Sequence, residues 1–210
     1  MRTVHCGDAI EWLRAQPVLQ GCSVVTSLPD ASELPGVSHD AWRAWFSQAA
    51  ALVLDRTPDD GVALFYQTDV KRGGGWVDKG YLVQRAAEDR GAALLFHKVV
   101  CRKPPGTTTF GRAGYAHLLA FSRGLRPDLS RATPDVIADG GEMTWVRAIG
   151  LDACRLACAW VRDQTPTRTI VDPFCGVGTV LAVANQLGLD AVGVELNKKR
   201  ARKARTLTLP

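Results

Sequence analysis

The chain is predicted to be an α/β domain built on a doubly wound, mostly parallel sheet, and two observations carry that reading. Short apolar runs alternate with helix-patterned segments along the chain, the order that parallel strands joined by crossover helices require. Near the C-terminus, Thr169-Ile170-Val171 runs into Asp172-Pro173-Phe174-Cys175-Gly176-Val177-Gly178-Thr179 and then into a helix-like stretch over 180–187. That is a strand, a glycine-rich turn and a helix. An acidic residue closes the strand, and Gly176 and Gly178 allow a tight turn against a ligand. The helix start offers free N–H groups at the positive end of its dipole. A second strand, 190–195, ends in the carboxylate of Glu195, suited to two ribose hydroxyls. The pattern is that of a nucleoside-binding βαβ unit.

The other elements follow in order. Residues 3–6 form a short strand, broken by Gly7-Asp8 before a helix over 9–16 with Ile10 and Leu13 on one face. A buried strand over 23–26 ends at Ser27-Leu28-Pro29-Asp30, and an amphipathic helix over 41–54 leads to a strand over 62–66. Residues 67–76 then read as a loop whose three consecutive glycines suit movement on substrate entry, the alternative being a solvated hairpin-like connection. A helix over 77–90 and strands over 93–100 and 117–121 continue the alternation. Residues 103–113, rich in glycine, proline and threonine, and 123–142, without a period, read as irregular covers. A helix over 146–162 presents Ile149, Leu156, Ala157 and Trp160 as one apolar stripe. Neither an internal repeat nor a domain boundary interrupts residues 1–210, so one domain is expected.

Composition narrows the class. At 210 residues the chain can bury one sizeable core, and 46% apolar with 22% charged residues is ordinary for a folded protein and excludes disorder. No apolar stretch approaches the ~20 residues of a membrane span. Met1-Arg2-Thr3 leads into a strand rather than a signal peptide, so a cytoplasmic location is expected. A net charge of +5, with Lys198, Lys199, Arg200, Arg202, Lys203 and Arg205 on the final helix, fits a polyanionic partner as well as a solvated helix face. The six cysteines include no C-x-x-C pair and no histidine cluster. No metal site and no disulfide framework is expected, and Cys154 and Cys158 read as core residues.

The turn D-P-F-C-G-V-G-T resembles the cofactor motif of S-adenosylmethionine-dependent methyltransferases rather than the G-x-G-x-x-G of dinucleotide folds. Its place at the end of the chain, together with His5-Cys6-Gly7-Asp8-Ala9-Ile10-Glu11-Trp12-Leu13, resembles circularly permuted DNA and RNA amino-methyltransferases. Leu95 to Lys103 and His117 to Ser122 are similar to later strands of that family. The resemblance implies a Rossmann-like methyltransferase fold of seven strands, one antiparallel, in permuted order. It implies an enzyme that takes S-adenosylmethionine, with Asp172, Phe174, Gly176, Gly178 and Thr179 around the methionine part and Pro173, Cys175 and Gly7 beside them. Glu195 would hold the ribose and Asp8 would face the adenine amine. Thr144, Trp145 and Arg147 are placed near the turn.

The substrate end departs from the family pattern D/N/S-P-P-Y/F, in which an oxygen and a carbonyl accept bonds from an exocyclic amine and a ring stacks on the base. Ser27-Leu28-Pro29-Asp30 keeps the oxygen and one proline but lacks the second proline and the ring. Ser27, Pro29 and Asp30 are the expected catalytic set. Asp30 reads either as a paired acceptor for the N1–H and N2–H edge of guanine, implying N2-methylation, or as a general base for another nucleophile. Structured RNA such as tRNA is the expected partner, because flipping a base from a duplex calls for a larger recognition module than 123–142 provides. The alternatives are a DNA adenine-N6 or cytosine-N4 methyltransferase, and a catalytically degenerate subunit that binds RNA or protein. A further subunit would be a possible aid to recognition. Tyr66, Gln67, Asp69, Lys71 and Trp76 are expected to bind substrate at the strand edge, with Tyr66 or Trp76 stacking, and Arg102 and Arg112 to hold phosphates. His5 and His117 are expected to be packed within strands, and His97 to lie near the active edge.

Overall fold

Side-chain caps start most of the helices. In a computed structural model describing residues 1–209, the elements run β1 Arg2–Cys6, α1 Ala9–Ala15, β2 Cys22–Thr26, α2 His39–Arg56, β3 Ala63–Gln67, β4 Val70–Arg72, β5 Gly75–Val77 and α3 Lys79–Glu88. They continue with β6 Ala93–Cys101, β7 Tyr115–Ser122, β8 Val136–Ile137, α4 Leu151–Gln164, β9 Thr169–Asp172, α5 Thr179–Gln186, β10 Asp190–Glu195 and α6 Lys198–Thr206. Asp8, Ser38, Asp78 and Asn197 accept first-turn N–H groups of α1, α2, α3 and α6. Helix α5 begins instead behind Gly178, which has no side chain to cap it, so its leading N–H groups keep their capacity for an external acceptor.

The main sheet has the order β1-β10-β9-β2-β3-β7-β6-β8. Every pairing in it is parallel except those of β7, which runs antiparallel to β3 and β6. The sheet therefore has eight strands where seven were expected. The addition is the two-residue β8, which pairs with Val99 and Val100 at one edge and is too short to leave a periodic signal. Within residues 67–76 the hairpin-like alternative holds over the loop: β4 and β5 pair antiparallel. Gly73 and Gly74, at φ 56° and 84°, occupy a turn that only positive-φ residues make cheaply. Val77 consequently belongs to β5, and α3 starts at Lys79. Helix α4 starts at Leu151, five residues later than expected, because Gly150 crosses Gly140 too closely for a side chain: a Cβ there would lie 2.2 Å from the Gly140 carbonyl oxygen.

Helices cover both sheet faces, as the near-continuous apolar strands of a parallel sheet demand. One layer joins α4, α5 and α6 to the sheet through residues such as Trp160, Leu181 and Ala201, with Cys154 and Cys158 inside it. The other packs α1, α2 and α3 through Leu13, Trp42, Phe46 and Val83. Burying Trp42, Phe46 and Leu54 fully stabilises the second layer by about 2 kcal/mol per side chain. All six cysteines are free thiols. No helix among the described residues is long and apolar enough to cross a membrane.

The parallel strands end together. Cys6, Thr26, Gln67, Asp172 and Glu195 close β1, β2, β3, β9 and β10, and β9 sits between β10 and β2, where the chain winds off in opposite directions. Crevices in open α/β sheets form at such a switch point. Across the far edge the chain ends meet: the Arg2 guanidinium donates to Asn185 Oδ1 at 2.9 Å and to the carbonyls of Ala204 and Leu207 at 3.1 and 2.8 Å.

Candidate active site

A hollow of about 170 Å³ opens at the switch point, lined by the β9–α5 turn, Glu195, Asp8, Ser27 to Pro29, Trp45, Trp145 and Arg147. The sequence brings these groups together through strand ends and capped helix starts. Asp172 is buried, and its Oδ1 accepts from Thr26 Oγ1 at 2.7 Å and from the Phe174 N–H at 3.1 Å. Burial dominates those bonds and pushes its pKa up to about 7, with Glu195 adding to the effect. Burial likewise pushes the Cys175 thiol far above its usual range, so Cys175 is a packed wall residue and not a nucleophile.

Both turn glycines are required. At Gly176, φ 56°, a Cβ would stand 3.1 Å from the Trp145 ring, and at Gly178, φ 90°, it would stand 2.8 Å from Ala204 Cα. Trp145 thus lies over the turn, and α6 packs behind it. Thr144 Oγ1 and Thr179 Oγ1 share a hydrogen bond of 2.5 Å, which ties the segment before α4 to the start of α5. Glu195 is buried, and its Oε1 accepts from the Asn197 N–H at 2.6 Å and from Arg200 Nε at 2.9 Å, with Arg200 Nη2 2.8 Å away in the same ion pair. The Arg200 guanidinium also lies 5.5 Å from the Trp145 ring centroid. Arg200 was not singled out from the sequence except as one of several basic residues on the last helix. Its spacing of five from Glu195, across an Asn cap, was the available signal. Asp8 faces the hollow while its Oδ1 caps α1, and Gly7 donates its N–H to the Glu195 carbonyl at 3.2 Å.

A second hollow adjoins the first and shares Ser27, Leu28, Glu33, Arg147 and Ala148 with it; Asp30, Tyr66, Thr68, Lys79, Arg102, Arg112 and Val146 complete its walls. Here Asp30 departs from both expected roles. One carboxylate oxygen pairs with Lys79 Nζ and the other accepts from Arg112 Nη2 at 2.9 Å. Asp30 is thus engaged by two cations rather than standing free as a guanine acceptor or a general base. Lys79 is 2% exposed, and burial lowers its pKa while Asp30 opposes that shift. Trp42 Nε1 donates to the Pro29 carbonyl at 3.1 Å, which fixes the strand end beneath the hollow.

The remaining substrate candidates divide. Arg102 and Arg112 line the second hollow as expected. Tyr66 lines it too, but is 7% exposed and packed in the core, so it offers no open ring face for stacking; burial raises its phenol pKa. Gln67 is buried on the sheet, and Asp69 is buried and bonded to Lys79 N–H, His117 and Tyr115. Lys71 and Trp76 face each other across the hairpin, outside both hollows. His117 is buried as expected, whereas His5 is exposed because β1 is an edge strand. His97 opens on a third groove beside α3 rather than on the active edge.

Comparison with known proteins agrees with this geometry. A family model described as DNA methylase, N6_N4_Mtase, matches residues 164–206, which span β9 to α6. No curated protein sequence matches the chain. Among solved structures, TTHA0409 of Thermus thermophilus, a candidate DNA modification methylase, is 19% identical with a TM-score of 0.74 over 97% of this chain and 93% of its own. Its complex with S-adenosyl-L-methionine superposes at 0.72 with 21% identity, over 97% of this chain and 91% of the other. The cytosine-N4-specific PvuII DNA methyltransferase is 15% identical and scores 0.74 over 97% of this chain and 85% of its own. The chain therefore carries, over nearly its whole length, the Rossmann-like fold of these methyltransferases.

Proposed function

We propose that the protein is an S-adenosylmethionine-dependent methyltransferase acting on an exocyclic amine of a DNA base, adenine N6 or cytosine N4. The observation that carries this reading is the pair of adjoining hollows. One is built on the glycine turn and Glu195 and the other on cations, with Ser27 and Leu28 lining both. The first suits the cofactor: Trp145 and Phe174 supply apolar walls, Glu195 and Asp8 supply carboxylates at the ends of adjacent strand connections, and α5 supplies free N–H groups. Strand order supports a circularly permuted arrangement, since the β9–α5–β10 unit, last in the chain, sits between β1 and β2 in the sheet.

When bound, the cofactor supplies an electrophilic methyl on its sulfonium. The protein's part is to hold the amine. Ser27 Oγ and the Leu28 carbonyl accept its N–H bonds and turn the nitrogen lone pair toward the first hollow. Arg102 and the Asp30-bound Arg112 give the second hollow a positive lining for the phosphates on either side of the target. The guanine-N2 reading weakens because the Asp30 carboxylate that would meet guanine's N1–H and N2–H is already engaged by Lys79 and Arg112. The DNA-methylase description of the matching family model favours DNA over RNA.

The reading is tested by calorimetry with S-adenosylmethionine, then by incubating the protein with genomic DNA or total RNA and identifying methylated nucleosides by mass spectrometry. N6-methyladenine or N4-methylcytosine in DNA is expected. No cofactor binding at millimolar concentration would remove the proposal, and methylation confined to RNA would restore the tRNA reading. A second reading, a binding subunit without turnover, is favoured by the missing aromatic ring after Pro29, and cofactor binding without any methyl incorporation would select it.

A further inference from the structure

We propose that Asp69, Asp78 and His117 form a site for one divalent transition-metal ion of the zinc class at the root of the β4–β5 hairpin. The three side chains each offer a ligand atom, and these atoms lie within 4.8 Å of one another. His117 Nε2 is 2.9 Å from Asp69 Oδ2 and 3.9 Å from Asp78 Oδ1. Ligand atoms about 2.1 Å from zinc in a tetrahedral site stand roughly 3.4 Å apart, so these separations bracket what an ion needs and small side-chain rotations complete it. Two carboxylates and a neutral imidazole balance the charge of the ion.

The shell behind the site fits the same chemistry. A metal-binding histidine donates its second ring N–H to an orienting acceptor, and His117 Nδ1 lies 2.8 Å from His97 Nε2. With Nε2 on the metal, Nδ1–H of His117 donates to His97. Lys79, the nearest buried cation, has its ammonium committed to Asp30, which tempers its repulsion of an ion.

An independent observation points to a missing group here. Gln67 is 1% exposed, and neither its amide nitrogen nor its amide oxygen has a hydrogen-bond partner. In the β3–β7 register it stands directly opposite His117. The pair next to it, Phe65 and Leu119, packs in the core layer under α3, and strand alternation puts Gln67 and His117 on that same face. Cβ atoms of such opposed residues are about 5 Å apart. Leaving a buried polar atom unpaired costs about 1–3 kcal/mol. A water held by an ion on His117 would give the Gln67 oxygen a donor. The Asp69–His117 hydrogen bond does not account for the orphaned amide; the largely solvent-exposed Asp78 is held here by capping α3, its Oδ1 accepting from the Tyr81 N–H at 2.8 Å, and a carboxylate so engaged keeps further lone pairs for an ion.

The placement gives the ion a task. Asp69 precedes β4 and Asp78 follows β5, while His117 belongs to β7, so coordination fastens both ends of the hairpin to the main sheet. The proposal does not depend on the methyltransferase reading. It is tested on the full chain in a Cys6→Ser background, which removes the exposed thiol. Calorimetry with Zn2+, and absorption spectra with Co2+ as a tetrahedral reporter, should show one ion bound per chain. Asp78→Asn, at an exposed position that leaves the core intact, should weaken binding at least about tenfold, and His97→Gln should weaken it by about 10–100-fold through the orientation of His117. Hydrogen exchange in residues 70–77 should slow when Zn2+ is added to the wild type and not to Asp78→Asn. No uptake by the wild type at 100-fold excess Zn2+, or uptake that Asp78→Asn and His117→Asn leave unchanged, would overturn the proposal.

Discussion

The two walls of the active cleft are made on different principles. The wall around Asp172, Gly176, Gly178 and Glu195 is local: one strand, one turn, one helix and the next strand, all within about thirty residues, bring every group into place. The opposite wall is assembled across the chain. Asp30 after β2 meets Lys79 from the first turn of α3 and Arg112 from the segment before β7. A contiguous wall announces itself as a motif. A wall closed by long-range ion pairs alters the meaning of a residue, as it does for Asp30, without altering its letter.

The sharpest way to break this comparison is at Asp30. Asp30→Ala leaves the Lys79 ammonium buried without its counter-ion and is expected to cost about 3–5 kcal/mol in chemical denaturation. Arg112→Ala removes a half-exposed partner and should cost less than about 1 kcal/mol. The double change Asp30→Leu with Lys79→Met should recover most of the loss, and equal effects of the two single variants would show that the long-range wall is not held as described. Next comes Gly178→Val, which adds left-handed backbone strain and a clash with α6 at Ala204. A loss of roughly 3 kcal/mol or more is expected in the same assay, and an unchanged midpoint would disprove the close seat of α6 behind the turn.

Ser27→Ala should lower the rate constant of methyl transfer about 100-fold with cofactor affinity retained, separating the substrate wall from the cofactor wall in a single variant. Full turnover by that variant would remove Ser27 from the reaction. A smaller effect concerns pH. The native pKa of Asp172, about 7, lies above its ordinary 3.8, so the folded state binds the proton more tightly than the unfolded state. Its contribution to stability is fully present below pH 4, is lost as pH rises from 4 to 7, and is flat beyond. The decline should amount to about 2 kcal/mol, less than the bare shift implies because a protein interior relaxes around a charge, and Asp172→Asn should flatten it in melts of the cofactor-free protein. Smallest of all, Lys71→Ala should change stability by less than about 1 kcal/mol and leave turnover unaltered, since Lys71 touches Trp76 rather than either hollow. A tenfold rise in KM for DNA would return the hairpin to the substrate surface.

Legibility followed the range of the interactions. The βαβ unit was readable down to Asp190–Glu195, because strand ends, positive-φ glycines and caps are written in neighbouring residues. So was the layering: alternation of runs predicts helices on both faces, and Cys154 and Cys158 pack where their spacing puts them. The hairpin over 70–77 was legible only as the alternative to a loop, because Lys71-Arg72 and Gly75-Trp76 carry no apolar alternation and the turn at Gly73-Gly74 was the one sign of it. The fates of Gln67 and Asp69 were illegible for another reason. Both sit at the end of β3, where polar residues often serve a ligand, but pairing with β7 delivers His117 and Tyr115 to them from about fifty residues away.

The clasp between the chain ends bears on how this molecule comes into being. Arg2 hydrogen-bonds to the carbonyls of Ala204 and Leu207, and the opening strand takes its place only beside residues 191–195. Strand β1 therefore finds its neighbour only in residues far along the chain, and this border of the sheet stays open until β10 is in place. Loop-closure entropy makes such distant pairings slow to form, and until β10 inserts between them β1 and β9 each present a bare strand edge on which other chains could assemble.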